Sequence, residues 1–239
     1  MYKRQVKDLK DKEYAESNYV ILSTKKGLIK KTSLEAYSRP RSNGINAVTI
    51  REGDELLSAR LTNGDSEILL GLKSGKAIRF HESKARAVGR TAMGVRGVSL
   101  ATPEDEVIGM VCINDASSDI LVVSENGYGK KTNLDDFPSH NRGGQGVANI
   151  ECSARNGPVV ASYVASEDDQ IMLVTNSGKL IRIRVHGGEG DSIRVAGRKT
   201  QGVRLFDVDD EEKVVSVALL TESDEEENTD ENDNEVATD

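Results

Sequence analysis

The chain has 239 residues, of which 36 % are hydrophobic, 4 % aromatic and 30 % charged. No run approaches the roughly 18 apolar residues that a membrane-spanning helix requires, and the opening MYKRQVKDLKDKEY has basic residues without a following apolar stretch, so neither a membrane helix nor a secretory leader is expected and the cytoplasm is the expected compartment. The net charge of −8 is unevenly placed: residues 222 to 239 hold ten Asp or Glu and no Lys or Arg, which leaves 32 basic against 30 acidic residues in the remainder.

Two cysteines, Cys112 and Cys152, lie in apolar runs without His or Cys at metal-ligand spacing, and His81, His140 and His186 form no recognisable triad. No metal ion, cofactor or catalytic residue is expected from these. The stretch NGYGKKT (126 to 132) resembles a phosphate loop, but Lys131 stands where a Walker motif needs a hydroxyl and Ser124 where it needs glycine. Its pattern also recurs in TKKGLIKKT, LKSGKAIRF and TNSGKLIRI, which makes it architecture before chemistry.

In chain order, residues 1–17 fit no repeat and read as a leader, with MYKRQ foreign to everything that follows. Over 18–221 the glycines Gly27, Gly75, Gly127 and Gly178 recur at intervals of 48, 52 and 51 residues, a period suited to propeller-like arrays. Each unit opens on an apolar strand (YVILST, EILLGL, DILVVS, QIMLVT), turns at its glycine, and returns along a strand rich in Lys and Arg. A second glycine with a β-branched neighbour follows (Gly44-Ile45, Gly94-Val95, Gly146-Val147, Gly202-Val203), and a last apolar strand closes the unit (54 to 61, 105 to 113, 157 to 165, 212 to 220). Four short strands per unit predict an all-β fold, an array of about four four-stranded blades over 18–66, 67–118, 119–168 and 169–221. Only ESKARAV (82 to 88) carries a hint of helical periodicity. Residues 222–239 are expected to be a disordered acidic tail.

The return strands place Lys30 and Lys31, Lys76 and Arg79, Lys130 and Lys131, and Lys179, Arg182 and Arg184 at matching positions. They are expected to face solvent and form a basic band. The glycine-rich connections add Arg39 and Arg41, Arg90 and Arg96, Arg142, and Arg198 with Lys199. Basic residues in register across four units point to nucleic-acid phosphates, against the alternative of simply solvated side chains. With so few aromatic residues, base stacking is not expected and duplex backbone contact is.

The motifs ENGYGKKT (125 to 132), GKAIRFHESKARAVGRTAMGVRGV (75 to 98), DDQIMLVTNSGK (168 to 179) and GRKTQGV (197 to 203), followed by an acidic terminus, resemble the C-terminal domain of DNA gyrase A. The resemblance covers about residues 18 to 221 and implies a β-pinwheel of which these are the last four blades. It implies a non-enzymatic module that wraps duplex DNA in support of ATP-dependent negative supercoiling, alongside the rest of gyrase A and its partner gyrase B. The resemblance implies that the family's Gln-Arg-Arg-Gly-Gly-Lys-Gly box belongs to a first blade, which is not expected among these units; HNRGGQG (140 to 146) is similar in shape but sits in the third unit. None of the six tyrosines has the family's catalytic context, so DNA cleavage is not expected of this chain. The corresponding domain of topoisomerase IV, and a protein-binding propeller, remain the alternatives.

Overall fold

The computed structural model describes residues 9–114, 118–166, 169–186, 193–209 and 211–220. The acidic tail expected over 222–239 and the first eight residues of the leader lie outside these. The rest of the leader is not featureless: Lys12–Ser17 forms a short helix, α1, whose cap Asp11 accepts a hydrogen bond from the Tyr14 N–H at 3.1 Å and whose Ala15 is buried. In place of a helix over ESKARAV there is only a 3-10 turn at Glu82–Lys84. Otherwise the described residues are all β with short 3-10 turns.

The strands follow the repeats. The first unit supplies β1 (Tyr19–Thr24), β2 (Leu28–Ser33) and β3 (Leu56–Thr62); the second supplies β4 (Glu67–Leu72), β5 (Lys76–His81), β6 (Val95–Arg96) and β7 (Val107–Ile113). The third supplies β8 (Asp119–Ser124), β9 (Tyr128–Asn133), β10 (Val147–Ala148) and β11 (Val159–Ala165), and the fourth β12 (Gln170–Thr175), β13 (Leu180–Arg184), β14 (Val203–Arg204) and β15 (Val214–Leu220). Gly27, Gly75, Gly127 and Gly178 sit at equivalent hairpin turns with φ of 85°, 86°, 76° and 85°. Only glycine adopts that backbone region without steric cost, which explains the sequence period.

The sheets do not follow the boundaries between the sequence units. Strand orders are β3-β1-β2-β6, β10-β5-β4-β7, β11-β8-β9-β14 and β13-β12-β15. Each of the first three sheets therefore takes three strands from its own unit and a two-residue fourth strand from a later one, and the last has three strands. Strand pairing within the sheets is antiparallel, with Val95 opposite Ile29, Val147 opposite Ala77 and Val203 opposite Gly129, while isolated parallel bridges join Lys31 to Ala87, Arg79 to Ser139 and Lys131 to Val195. Sheet edges left open invite foreign strands, and the donated strand covers the outer edge of β2, β5 and β9.

Two compact units result. β1 to β7 with Phe137–Ala148 form one, and β8, β9 and the described residues from Asn149 onward form the other. The first is packed on Ile21, Ile29, Ile68, Leu70, Ile78 and Phe80. The second is packed on Leu121, Val123, Ile171, Leu173, Val185 and Val214.

Candidate nucleic-acid interface

The return strand is a central strand once the donated strand pairs beside it, and this changes where its lysines go. Lys30, Lys31, Lys130 and Lys131 are 2 %, 7 %, 0 % and 2 % exposed. The expectation that they face solvent is corrected: neighbours cover both sides of β2 and β9, and successive side chains point to opposite, equally covered faces.

Each buried ammonium has a defined partner. Lys30 Nζ donates to the Ala47 carbonyl at 2.5 Å and to the Arg90 carbonyl. Lys130 Nζ donates to the Gly197 carbonyl at 2.7 Å. Burial lowers the pKa of both, aided by Arg90 near Lys30 and opposed by Asp136 near Lys130, which falls to about 8. Lys31 Nζ pairs with Glu82 Oε2 at 2.7 Å and lies 4.1 Å from the Tyr19 ring centre. Burial works against the charge of Glu82, but Lys31, the Ser66 N–H at 2.7 Å and the Thr62 hydroxyl at 2.9 Å more than offset it and hold the carboxyl below its ordinary value. Lys131 Nζ meets the His186 ring nitrogens at 3.1 and 2.8 Å. These lysines fasten the connecting loop of the next repeat: the main chain at Val88 bonds to Lys31 and at Ala196 to Lys131, at 2.9 and 2.8 Å.

The remaining candidates divide by exposure. Arg39, Arg41, Arg96, Arg182, Arg184 and Lys199 are exposed. Arg182 Nε still reaches Gln170 Oε1 at 2.5 Å. Lys179 is engaged, by Asp209 at 3.0 Å and Glu212 at 2.6 Å, and it is the first of the contacts that hold the Glu212 pKa near 2. Arg79, half-buried, pairs with Glu67 at 3.0 Å and donates to the Phe137 carbonyl at 3.1 Å. Arg142 donates to the carbonyls of Lys84 and Arg96 at 2.8 and 3.1 Å. Arg90 donates to the Asn46 carbonyl at 3.1 Å. These last three tie connecting loops in place through their guanidinium groups. Lys76 and Arg198 are half-buried.

Sequence reasoning missed a recurrent guanidinium pair. Arg155 and Arg204 converge on Tyr128, their guanidinium carbons 5.0 and 5.6 Å from its ring centre. Hydrogen bonds from Arg155 at 3.3 Å and Arg204 at 3.1 Å pull the Tyr128 hydroxyl below its ordinary pKa. They line a cleft of about 300 Å³ with Asn126 and Lys213. In the other unit Arg51 and Arg96 line a cleft of about 200 Å³ with Leu28, at the matching corner of the first sheet. The signal was present: Arg96 and Arg204 both follow the valine of the donated strand, and Arg51 and Arg155 both stand two residues before a glycine.

The fold and the repeat have counterparts among known proteins. The family model described as DNA gyrase C-terminal domain, beta-propeller, matches residues 18–63, 68–114, 118–157 and 169–221. This chain belongs to the DNA gyrase C-terminal domain family. It is 43 % identical over 226 residues to the DNA gyrase A protein of Salmonella typhimurium, covering 95 % of this chain and 25 % of that protein. To the DNA gyrase A protein of Staphylococcus aureus strain MRSA252 it is 41 % identical over 227 residues, covering 95 % and 24 %. The chain thus spans about a quarter of the length of these curated relatives. Among solved structures, the C-terminal domain of DNA topoisomerase IV superposes with a TM-score of 0.81 at 26 % identity, over 95 % of this chain and 69 % of that one. The DNA gyrase A C-terminal domain gives 0.74 at 26 % identity, over 91 % and 69 %. The gyrase domain family accounts for the β-pinwheel, the repeat and the hairpin glycines together.

Proposed function

We propose that this chain is a module of gyrase A, within a type II topoisomerase, that binds duplex DNA through its phosphates and wraps it, acting in the cytoplasm beside the rest of gyrase A and gyrase B in ATP-dependent negative supercoiling. What carries the reading, beyond family membership, is the sorting of the basic residues. Lysines at the centre of the sheets are buried and paired, while Arg39, Arg41, Arg96, Arg182, Arg184 and Lys199 stay exposed on loops and edges. Guanidinium forks suit bidentate contact with phosphate oxygens. Such contacts position a duplex without reading its bases.

A nicked circular DNA religated in the presence of the chain tests wrapping directly. The expected result is a change in linking number that grows with protein added and disappears at high salt. Relaxed product at saturating protein contradicts wrapping. A second reading, the equivalent domain of topoisomerase IV, is favoured by the TM-score of 0.81. It predicts binding with little change in linking number.

A further inference from the structure

The two guanidinium pairs are built in the same way, one in each compact unit. Arg96 stands opposite Leu28 where β6 pairs with β2, and Arg204 stands opposite Tyr128 where β14 pairs with β9. Leu28 and Tyr128 are buried, and both directly follow a hairpin glycine, so the donated strand lays one arginine over the same corner of its sheet each time. The other arginine comes from the loop that precedes the unit's last strand, Arg51 ahead of β3 and Arg155 ahead of β11. The second sheet is different: on its donated strand Ala148 follows Val147.

All four arginines are exposed, and each pair lines a single cleft, of about 200 Å³ in the first unit and about 300 Å³ in the second. Two guanidiniums that converge on one cleft repel unless an anion lies between them. The acidic side chains nearby do not fill that place. In the first cleft Asp54 accepts from the Lys26 and Glu55 N–H groups at 2.9 and 2.8 Å. In the second, Lys179 engages Asp209 at 3.0 Å and Asp207 pairs with Arg204. Arg51, Arg96 and Arg155 have no carboxylate partner among the described residues.

Cleft size narrows the class of anion. Pockets for small molecules run from about 300 to 1,000 Å³, and these two lie at or below the lower end, with room for one anionic group of a larger molecule and not for a whole nucleotide. A pair of planar forks matches the oxygens of a phosphate. Resting on the duplex-binding function given above, we propose that each pair seats one backbone phosphate of duplex DNA, held between Arg51 and Arg96 in the first unit and between Arg155 and Arg204 in the second. In the second seat the Tyr128 hydroxyl accepts from both arginines, at 3.3 and 3.1 Å, and holds the two forks towards one point. Leu28 offers no such acceptor, so the first seat depends on its arginines alone. Because two side chains share one phosphate, losing either of them empties the seat.

The test is the duplex affinity of the full chain across a salt series, in variants that keep the wild-type urea midpoint. Arg155→Gln should flatten the slope of log affinity against log salt by about 0.9, the loss of one phosphate. Arg204→Gln should do the same, and the double change should flatten it no further. Arg51→Gln, Arg96→Gln and their double should repeat the pattern for the first seat. A double change that flattens the slope by about 1.8, twice the single effect, overturns the shared seat in favour of separate contacts. A salt-dependent wild-type affinity whose slope none of the four changes alters overturns the seats and leaves duplex binding standing. A wild-type chain with no duplex affinity overturns the duplex-binding function and the seats together.

Discussion

At the scale of single residues, the lysines at the heart of each hairpin are structural. Lys31 and Glu82 form a buried pair whose carboxylate also receives Thr62 and Ser66. Removing one partner strands the other charge in the interior, which costs about 3–5 kcal/mol. Lys31→Ala should therefore lower the urea midpoint sharply, and Lys31→Met with Glu82→Leu should recover most of the loss; equal destabilisation by both would show that the charges themselves hold the fold. Lys130 gives a pH signature. Its folded pKa, about 8, lies below the ordinary lysine value of 10.5. Between those values the unfolded chain binds the extra proton, so stability rises with pH there. The wild-type chain should gain stability relative to Lys130→Met as pH climbs from about 8 towards 10.5, with a constant difference below 8. A difference that is flat across the whole range would mean that Lys130 keeps its charge at no cost.

At the scale of elements, what decides the architecture is the two-residue donated strand. The hairpins were legible because an apolar run, a glycine and a basic run are local signals, and Gly27, Gly75, Gly127 and Gly178 share one positive φ. The second glycine was legible too, as Gly94-Val95 and its counterparts. Its destination was not, because two residues carry no periodicity and the partner lies far away in sequence: Val95 pairs with Ile29, and Val203 with Gly129. The burial of Lys30 and Lys130 was hidden for the same reason, since a strand that reads as a half-exposed edge becomes central only when the donor arrives. The missed pair at Tyr128 has the same origin, because Arg204 reaches Tyr128 only through the donated β14. These contacts make Gly94 and Gly44 differ despite similar φ of 92° and 79°. Gly44→Ala should cost about 1 kcal/mol, the strain of a left-handed alanine. Gly94→Ala adds a clash with Ile29 O and Lys30 and should cost about 1–3 kcal/mol more in a dilute urea titration. Equal costs would mean the donated strand slides freely.

At the scale of the whole molecule, charge separates into a near-neutral repeat body and an acidic terminus, ten carboxylates in residues 222–239. Tethered to that body, the acidic terminus would compete with phosphate for exposed arginines at high effective concentration. Truncation after Thr221 should therefore tighten duplex binding, most at low ionic strength where screening is weakest; superimposable titrations would reduce the tail to a solubility appendage. The central claim is that exposed guanidiniums, and not the buried lysines, meet DNA. The salt dependence of duplex affinity tests it most directly, because log affinity falls by about 0.9 per phosphate neutralised for each log unit of salt. Changing Arg39, Arg41, Arg182 and Arg184 to Gln should flatten that slope by about 0.9 for each phosphate no longer neutralised, whereas Lys30→Met with Lys130→Met should leave it unchanged in chains that remain folded. A slope untouched by the arginine changes, or one flattened by the two buried lysines in a folded chain, would contradict the account.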